Sequence, residues 1–420
     1  MHQTLPRRML VGLALGLILG VVAHLLFADS PGLQNFVKYV TEPAGKIFLR
    51  LLFVLVIPLI LSALALGVSG LGDFRQLGRL GLKTLVYTVV VSTIAVLIGV
   101  AVVNLVRPGA GLSPDLRARL AQQASAAPPP APAAGSTGID FLVNLVPNNI
   151  VKSMADGDML AVMVFALLLG IGLSLTRTEA ARRLEEALEG LYDVVMRLLG
   201  LVLQVAPFAV ACLLFTLTAR LGLDVLRQLG AYVFAVVLAL AIHQFIVYSI
   251  SVAWLGGMDP RRFFAAVRPA MLTAFSTASS NATLPTSLMV AEQNLGLPRH
   301  VSRFVLTLGS TANQNGTALF EGMTVLFLAQ FYGVDLTLAQ QVSVVFICVL
   351  GGIGTAGVPA GSIPVVIMIL GMVGIPAEGI GMILGVDRFL DMCRTTLNVT
   401  GDLAAAVVVA RGEPHEPQAS

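Results

Sequence analysis

The chain has 420 residues, of which 56% are hydrophobic and 12% are charged, and its mean hydropathy is +0.88. Because soluble domains carry about 25% charged residues, this composition excludes an ordinary soluble protein and predicts an integral membrane protein. The net charge of +3 argues against a nucleic-acid partner, and the three cysteines lack the paired spacing of disulfides or a metal site.

Uncharged apolar runs with the length of a membrane-crossing helix, about 20 residues, dominate the first part of the chain. These runs are 9–28, 51–72, 84–106, 198–219 and 228–258, with a shorter one at 159–176. The first run follows two arginines, as in a signal peptide, but no small-residue cleavage site follows it, which favours a retained first span. Basic residues cluster at alternate run ends and predict a cytoplasmic N-terminus.

Two later apolar segments are interrupted in the middle. Residues 336–377 carry no charge, but "GGIGTAGVPAGS" at 351–362 is too rich in Gly and Pro to continue a helix. Residues 270–291 are interrupted in the same way by "SSNATLP". We interpret both as re-entrant hairpins rather than two kinked spans, because each half is too short to cross the membrane. Paired broken segments indicate a transporter's binding site, and one span containing Glu321 is predicted between them, over about 304–330.

The last predicted span contains "DRFLDMCRTTLNVTGD", residues 387–402, which is dense in charge for a membrane helix. Helical spacing from Asp387 places further polar side chains on one face: Asp391, Arg394, Thr395, Asn398 and Asp402. Charges inside a membrane are costly and mark a functional site by default. Pairing of Asp391 with Arg394 explains only part of this stripe.

The chemistry of the stripe suits an amino acid and a cation. The guanidinium of Arg394 matches a carboxylate, the carboxylate of Asp391 matches an ammonium group, and Asp402 matches a small hard cation. The interrupted segments add half-helix dipoles and free carbonyls. The residues therefore favour a cation-coupled amino-acid carrier.

Two functions of other classes remain open. The stripe could line the pore of a channel, although broken hairpins favour a carrier whose site is gated from either side. Asp387 and Asp391 could form the carboxylate pair of an intramembrane enzyme, but Arg394 one turn away keeps both ionised, which disfavours a shared proton.

Four motifs, "SSNATLP", "NQNGTALF", "GTAGVPAGS" and "DRFLDMCRTTLNVTGD", occur in the order found in the dicarboxylate/amino acid:cation symporter family, which includes glutamate and aspartate transporters. The resemblance covers residues 8–411. It implies an all-α polytopic membrane protein with eight transmembrane helices, two re-entrant helical hairpins and inverted repeats. It also implies a homotrimer of elevator-type transporters in the inner membrane, with both termini cytoplasmic and no enzymatic activity.

The same resemblance implies a scaffold domain and a transport domain. The segments are 1–82 with scaffold spans one and two, 83–112 with span three of the transport domain, 113–140 as an Ala/Pro-rich extracellular loop, 141–222 with scaffold spans four and five, 223–411 with the rest of the transport domain, and 412–420 as a cytoplasmic tail.

The resemblance also implies ligands, residue by residue. Substrate-binding residues would be Ser279, Ser280, Thr317, Val358, Asp391, Arg394, Thr395 and Asn398, with Asp391 on the α-amino group and Arg394 on the side-chain carboxylate. Cation-binding residues would be Gly309, Thr311, Asn313, Gly352, Ile353, Thr355, Asn398 and Asp402. The expected partners are an acidic amino acid, membrane lipid and two further copies of the chain. No cofactor is expected beyond a coupling cation, sodium or proton.

Asp391 and Arg394 together favour aspartate or glutamate, since dicarboxylate-transporting relatives lack the former and neutral amino-acid relatives lack the latter. A C4-dicarboxylate or neutral amino-acid symporter of the same family is the alternative.

Several positions depart from the family pattern. Asn315 stands where sodium-coupled members have an aspartate, and Thr88 and Val91 replace oxygen ligands of the same third sodium site. Gln314 replaces a methionine beside the second cation. The third sodium site is therefore expected to be absent, which leaves the stoichiometry open. Ala278 replaces an arginine of archaeal members, and Arg388 is the charged residue whose role the sequence explains least.

Overall fold

The computed structural model describes residues 4–27, 30–69, 78–110, 146–156, 159–221, 224–354 and 362–413. Within these ranges the chain is helical and contains no β-strand, in agreement with an all-α fold. The predicted loop 113–140 and most of the predicted tail lie outside the described residues.

The first half of the chain forms helices that cover nearly all of its described residues. They are α1 (Thr4–Phe27), α2 (Pro31–Phe36), α3 (Glu42–Ser69), α4 (Gly78–Val106), α5 (Ile150–Asp156), α6 (Met159–Leu175), α7 (Glu179–Leu221) and α8 (Asp224–Ile242). A π-helical turn, Val37–Thr41, joins α2 to α3.

The second half contains several helices of 10–18 residues and ends in a helix of 31 residues. Its helices are α9 (Tyr248–Ile250), α10 (Pro260–Thr277), α11 (Ser280–Met289), α12 (Arg299–Ala312), α13 (Asn315–Tyr332), α14 (Leu338–Gly354), α15 (Ile363–Met372) and α16 (Ile380–Ala410). The π-helical segments His243–Val247 and Ser251–Leu255 flank α9, so that α8 and α9 form one continuous helical segment.

Helices long and apolar enough to cross a membrane are present among the described residues. By length and composition these are Pro31–Leu66, Arg79–Val106 and Leu226–Leu255. The pair Glu179–Val202 and Gln204–Arg220, bent by 50°, would add a fourth. Shorter apolar helices are Val11–Phe27, Ala161–Leu175, Leu338–Gly352 and Ile363–Met372. The apolar helices agree with a membrane protein, and the count of eight spans stays a prediction.

The predicted span over 304–330 is not continuous. Helix α12 ends at Ala312 and α13 begins at Asn315. Asn313 and Gln314 between them have non-helical dihedral angles, φ −106° and ψ 67°, and φ −100° and ψ 58°. The sequence predicted a span here but not its break, because residues 304–320 are uncharged and hydropathy does not detect a two-residue interruption.

The first interrupted segment also breaks over two residues only. Helix α10 ends in the left-handed Ala278 (φ 49°), and the extended Ser279 caps α11, accepting a hydrogen bond from Ala282 N at 3.3 Å. The sequence predicted an irregular stretch through "SSNATLP", but the cap restarts the helix at Ser280. In the second interrupted segment, residues 355–361 between α14 and α15 lie outside the described residues.

Helix α16 is the central element of the second half. Helices α10, α12 and α13 pack against it, and α4 packs along α13. In the first half, α1 packs along α7, and α3 packs against α6 and α7. Besides the contact of α4 with α13, the two halves meet where the start of α16 contacts α7, and a Cβ added at Gly381 would lie 2.5 Å from Leu213 Cβ.

The end of α16 is tied to two other helices by polar contacts. Glu413 accepts hydrogen bonds from Arg79 Nη2 at 2.6 Å and Lys83 Nζ at 3.1 Å, both on α4. Arg411 Nη1 donates to the carbonyls of Trp254 and Leu255 at 2.8 Å and 3.1 Å. These bonds fix α16 relative to α4 and to the segment that continues α8.

Candidate functional site

The break between α12 and α13 is held open by side chains. The ends of helices leave backbone groups without intrahelical partners. Gln314 Nε2 donates to Ser310 O at 3.1 Å, which satisfies a carbonyl in the last turn of α12. Asn398 Oδ1 accepts from Gly316 N at 2.7 Å, so a side chain of α16 caps the first turn of α13. The break therefore faces the predicted polar stripe.

Arg394 is buried, with 1% of its surface exposed, and is held by two carboxylates. Its Nη2 donates to Asp387 Oδ1 at 2.8 Å and to Asp391 Oδ1 at 3.0 Å. Its Nη1 donates to Ser362 Oγ at 3.1 Å, and its Cζ lies 3.7 Å from the centroid of the Phe320 ring, a cation–π contact. Among the described residues its Nε has no hydrogen-bond partner, so this buried N–H is available to a ligand.

The sequence paired Arg394 with Asp391 alone, and the structure adds Asp387, two turns away on the same face. Arg388 also has a partner, because its Nη1 lies 4.0 Å from Asp391 Oδ2. These four residues, Asp387, Arg388, Asp391 and Arg394, form the charge cluster, in which two positive groups face two negative ones. The contacts of Phe320 and Ser362 with Arg394 were missed, because no spacing in the sequence relates them to α16.

Asn398 lies one turn beyond the charge cluster, and both polar atoms of its side-chain amide are hydrogen-bonded. Its Nδ2 donates to Gln314 Oε1 at 2.5 Å and to Thr317 Oγ1 at 3.2 Å, while its Oδ1 accepts from Gly316 N. We call Gln314, Thr317 and Asn398 the amide cluster. Two predicted substrate ligands, Thr317 and Asn398, are thus in direct contact.

Three of the predicted cation ligands also meet. Asp402 is 3% exposed, and its Oδ1 accepts from Asn313 Nδ2 at 2.9 Å. The Asn313 Oδ1 atom has no hydrogen-bond partner in the part of the chain that the structure describes. A Cβ added at Gly309 would lie 2.7 Å from Asp402 Cγ, so the close approach of this carboxylate to α12 requires glycine.

These ligands are oxygens of the kind that bind a small monovalent cation. Within the described ranges, no three His, Cys, Asp or Glu side chains converge as a metal site. Asp402 is instead a single carboxylate beside an amide oxygen and the backbone of a broken helix, the arrangement that transporters use for coupling ions.

Asn315 is part of a neutral hydrogen-bond network. Its Oδ1 accepts from Ser92 Oγ at 2.5 Å, and its Nδ2 donates to Tyr248 Oη at 3.0 Å. The Tyr248 hydroxyl donates to Leu397 O at 3.2 Å. Both polar atoms of the Asn315 amide are therefore used, and α4, α9, α13 and α16 are joined without a charge. The sequence singled out Asn315 but missed Ser92 and Tyr248, which are distant from it in the chain.

The remaining predicted ligands are less closely connected. Ser279 and Ser280 lie where α10 meets α11, two helices that both contact α16. Thr395 is buried on α16. Thr311 Oγ1 donates to Leu308 O at 3.0 Å on the exposed side of α12. A Cβ added at Gly352 would lie 3.3 Å from Gln314 O, which places the end of α14 against the break.

Val358 and Thr355 lie outside the described residues, and of Ile353 only the backbone, in α14, is described. Two buried carboxylates, Asp387 and Glu321, were not among the predicted ligands. Glu321 in α13 is fully buried, and its Oε2 would lie 2.9 Å from a Cβ added at Gly351.

Comparison with known proteins identifies the family of the chain. The model of the sodium:dicarboxylate symporter family matches residues 5–412. A proton/sodium-glutamate symport protein of Bacillus subtilis (strain 168) is 34% identical over 411 residues, covering 97% of this chain and 94% of the relative. A proton/glutamate-aspartate symporter of Escherichia coli (strain K12) is 34% identical over 411 residues, covering 98% and 93%. C4-dicarboxylate transport protein 3 of Ralstonia nicotianae is 32% identical over 405 residues, covering 96% and 87%.

Proposed function

Because the chain belongs to the sodium:dicarboxylate symporter family, we propose that it is a secondary active symporter of aspartate or glutamate coupled to a cation. One observation supports the assignment of an acidic amino acid as the substrate. On one face of α16, the buried Arg394 and Asp391 lie 3.0 Å apart, so that a guanidinium and a carboxylate are available for the two ends of an acidic amino acid. The relatives that transport glutamate and aspartate support this choice.

The binding mode follows from the contacts in the substrate-free site. The ammonium group of the substrate replaces Arg394 as the partner of Asp391. The side-chain carboxylate takes hydrogen bonds from the Nε and the released Nη2 of Arg394, a charge-assisted pair. Asp387 keeps its bond to Arg394 and holds the guanidinium in place. Thr317, Thr395 and Asn398 add hydrogen bonds, and Ser279, Ser280 and Val358 close the site from the two predicted hairpin tips.

The relative named for C4-dicarboxylates makes such a substrate the second candidate. A C4-dicarboxylate has no ammonium group, so it would leave Asp391 with only Arg388 and Arg394 as partners and would add two more negative charges to the site. Asp391 therefore favours an amino acid.

The coupling cation binds at Gly309, Asn313, Asn398 and Asp402, where Asp402 supplies the negative charge. A second cation binds at Thr311 and the carbonyls of Gly352, Ile353 and Thr355. The neutral network around Asn315 supports the loss of a third sodium site, because its amide oxygen and nitrogen both have protein partners. Sodium and a proton are both candidates for the coupling cation, since the names of the relatives include both ions.

The movement that we propose is an elevator. The scaffold consists of α1, α3, α6 and α7, and the transport domain consists of α4 and the helices from α8 to α16. Three such chains form a homotrimer in the inner membrane, with both termini in the cytoplasm and lipid around the apolar helices. The contacts of α16 with α10, α12 and α13 support a compact transport domain.

Uptake into proteoliposomes tests this function. A sodium gradient and a pH gradient are imposed in separate experiments. We expect at least one of them to drive saturable uptake of L-aspartate. Labelled aspartate outside the proteoliposomes should also exchange with unlabelled aspartate inside at zero net gradient. A carrier allows this because its binding site can carry substrate across the membrane in both directions. Uptake that neither saturates nor exchanges would contradict a carrier and favour a channel.

A further inference from the structure

The amide of Gln314 makes a short buried contact with a predicted substrate ligand. Its Oε1 accepts from Asn398 Nδ2 at 2.5 Å, and both side chains are only 2% exposed. The Gln314 side chain is anchored at its other end, because Nε2 donates to Ser310 O at 3.1 Å. The oxygen is therefore held at a fixed place beside Asn398.

The Asn398 amide has no donor left over. A primary amide has two N–H donors, and in Asn398 one goes to Gln314 and the other to Thr317 Oγ1 at 3.2 Å. The Oδ1 atom is fixed by Gly316 N at 2.7 Å, which prevents the amide from rotating to offer a new donor. A substrate carboxylate can accept a hydrogen bond from Asn398 only by displacing Gln314 or Thr317.

We propose that Gln314 is a positioning residue that competes with the substrate carboxylate for the Asn398 N–H and thereby lowers substrate affinity. The proposal rests on the proposed function, in which Asn398 binds an acidic amino acid. In the substrate-free site the Gln314 oxygen satisfies a buried donor that would otherwise be costly to leave unpaired. The substrate must replace this bond, so only the difference between the two bonds contributes to binding.

The inference gives opposite predictions for two substitutions at one position. Gln314→Met removes the acceptor and leaves an unpaired Asn398 N–H in the substrate-free site, which the substrate then satisfies. We expect the KM for L-aspartate to fall about three- to tenfold, the net effect of one hydrogen bond, with a lower maximal rate because release is slower. Gln314→Glu supplies a charged, stronger acceptor, and we expect KM to rise about threefold or more.

Initial rates of aspartate uptake in proteoliposomes, at a fixed saturating cation gradient, give both parameters. Gln244→Met is the matched control, since Gln244 is another buried amide whose Nε2 donates to α16, at Thr400 Oγ1 2.9 Å away. Its KM should stay within about twofold of wild type, as expected for an amide without contact to Asn398. If Gln314→Met does not purify as a folded protein, Gln314→Ala removes the same oxygen.

If Gln314 only supported the fold, Gln314→Met and Gln314→Glu would change the KM for L-aspartate in the same direction. An unchanged or higher KM in Gln314→Met or Gln314→Ala, with normal wild-type uptake, overturns the inference while leaving the proposed function intact. Absence of saturable aspartate uptake by the wild-type protein overturns the proposed function, and this inference with it.

Discussion

A buried guanidinium requires carboxylate partners, and Arg394 has two of them in the absence of substrate, Asp387 at 2.8 Å and Asp391 at 3.0 Å. These two acids have different tasks in the proposed mechanism. Asp391 exchanges its partner when the ammonium group arrives, whereas Asp387 keeps Arg394 in place.

Replacement of Arg394 tests its role as the selector of acidic substrates. We expect Arg394→Cys to lower the ratio of maximal rate to KM for aspartate by about a hundredfold or more, since two charge-assisted hydrogen bonds of about 1.5–3 kcal/mol each are lost. Neutral amino acids such as serine should then compete for the site, and labelled-substrate competition in proteoliposomes measures both effects.

This substitution removes the ion partner of the buried Asp387 carboxylate and leaves the buried Asp391 carboxylate with Arg388 alone, at a cost of about 3–5 kcal/mol. The double variant Asp387→Asn/Arg394→Cys removes one of them and protects the fold. Arg303→Cys is the matched control and should take up aspartate like wild type, because Arg303 is 69% exposed and its ion partner Glu292 lies outside the charge cluster. Aspartate uptake that survives in the folded double variant would exclude Arg394 as the selector.

At the scale of elements, the break between α12 and α13 joins the proposed substrate and cation sites. Asn313 and Gln314 are neighbours in the chain, but Asn313 binds Asp402 while Gln314 binds Asn398. Two sites that share one two-residue segment can influence each other through its geometry, which is a physical basis for coupled binding.

Asp402→Asn tests the cation half of this arrangement. We expect the cation concentration for half-maximal uptake to rise at least about tenfold, because a unit charge pair at about 4 Å is worth about 4 kcal/mol at an effective dielectric of about 20. This concentration is measured by titrating the driving cation at saturating aspartate. Asp259→Asn, at an exposed helix cap that asparagine also fills, should titrate like wild type. An unchanged cation dependence in Asp402→Asn would remove Asp402 from the ion site.

The stripe on α16 could be predicted from sequence because helical periodicity alone places Asp391, Arg394, Asn398 and Asp402 on one face. The break at Asn313–Gln314 could not, since residues 304–320 on both sides of it carry no charge and neither Gly nor Pro lies in the gap. Contacts between distant segments were equally hidden. Ser92 reaches Asn315 and Phe320 reaches Arg394 only through the packing of helices, which no local pattern encodes.

At the scale of the whole molecule, an elevator requires the transport domain to slide past the scaffold. The start of α16 packs against α7 and α1 at Gly381 and Gly385, where a Cβ would lie 2.5 Å from Leu213 Cβ and 3.1 Å from Leu13 Cγ, respectively. These glycines allow the two proposed domains to approach closely in the arrangement described. In an elevator this contact is broken and remade in every cycle.

The methyl group of Gly381→Ala would clash with the side chain of Leu213. The substitution therefore destabilises the position of the transport domain in which this contact forms, relative to the other position. Overpacking costs about 1–3 kcal/mol, and we expect the maximal uptake rate to fall at least about fivefold. Aspartate affinity, measured by calorimetry on the purified protein, should change by less than about twofold, because the ligands of the charge and amide clusters are untouched. The added variant Leu213→Ala should restore the rate in the double mutant, since it removes the clash.

Gly230→Ala is the matched control, because no heavy atom beyond its own neighbourhood lies within 4 Å of the added methyl group. Its uptake rate should equal that of wild type. If α16 and α7 instead kept one fixed contact during transport, the methyl group would lower thermal stability and the rate would not recover selectively with Leu213→Ala. A full uptake rate in Gly381→Ala, or a loss that Leu213→Ala does not repair, would therefore contradict sliding at this surface.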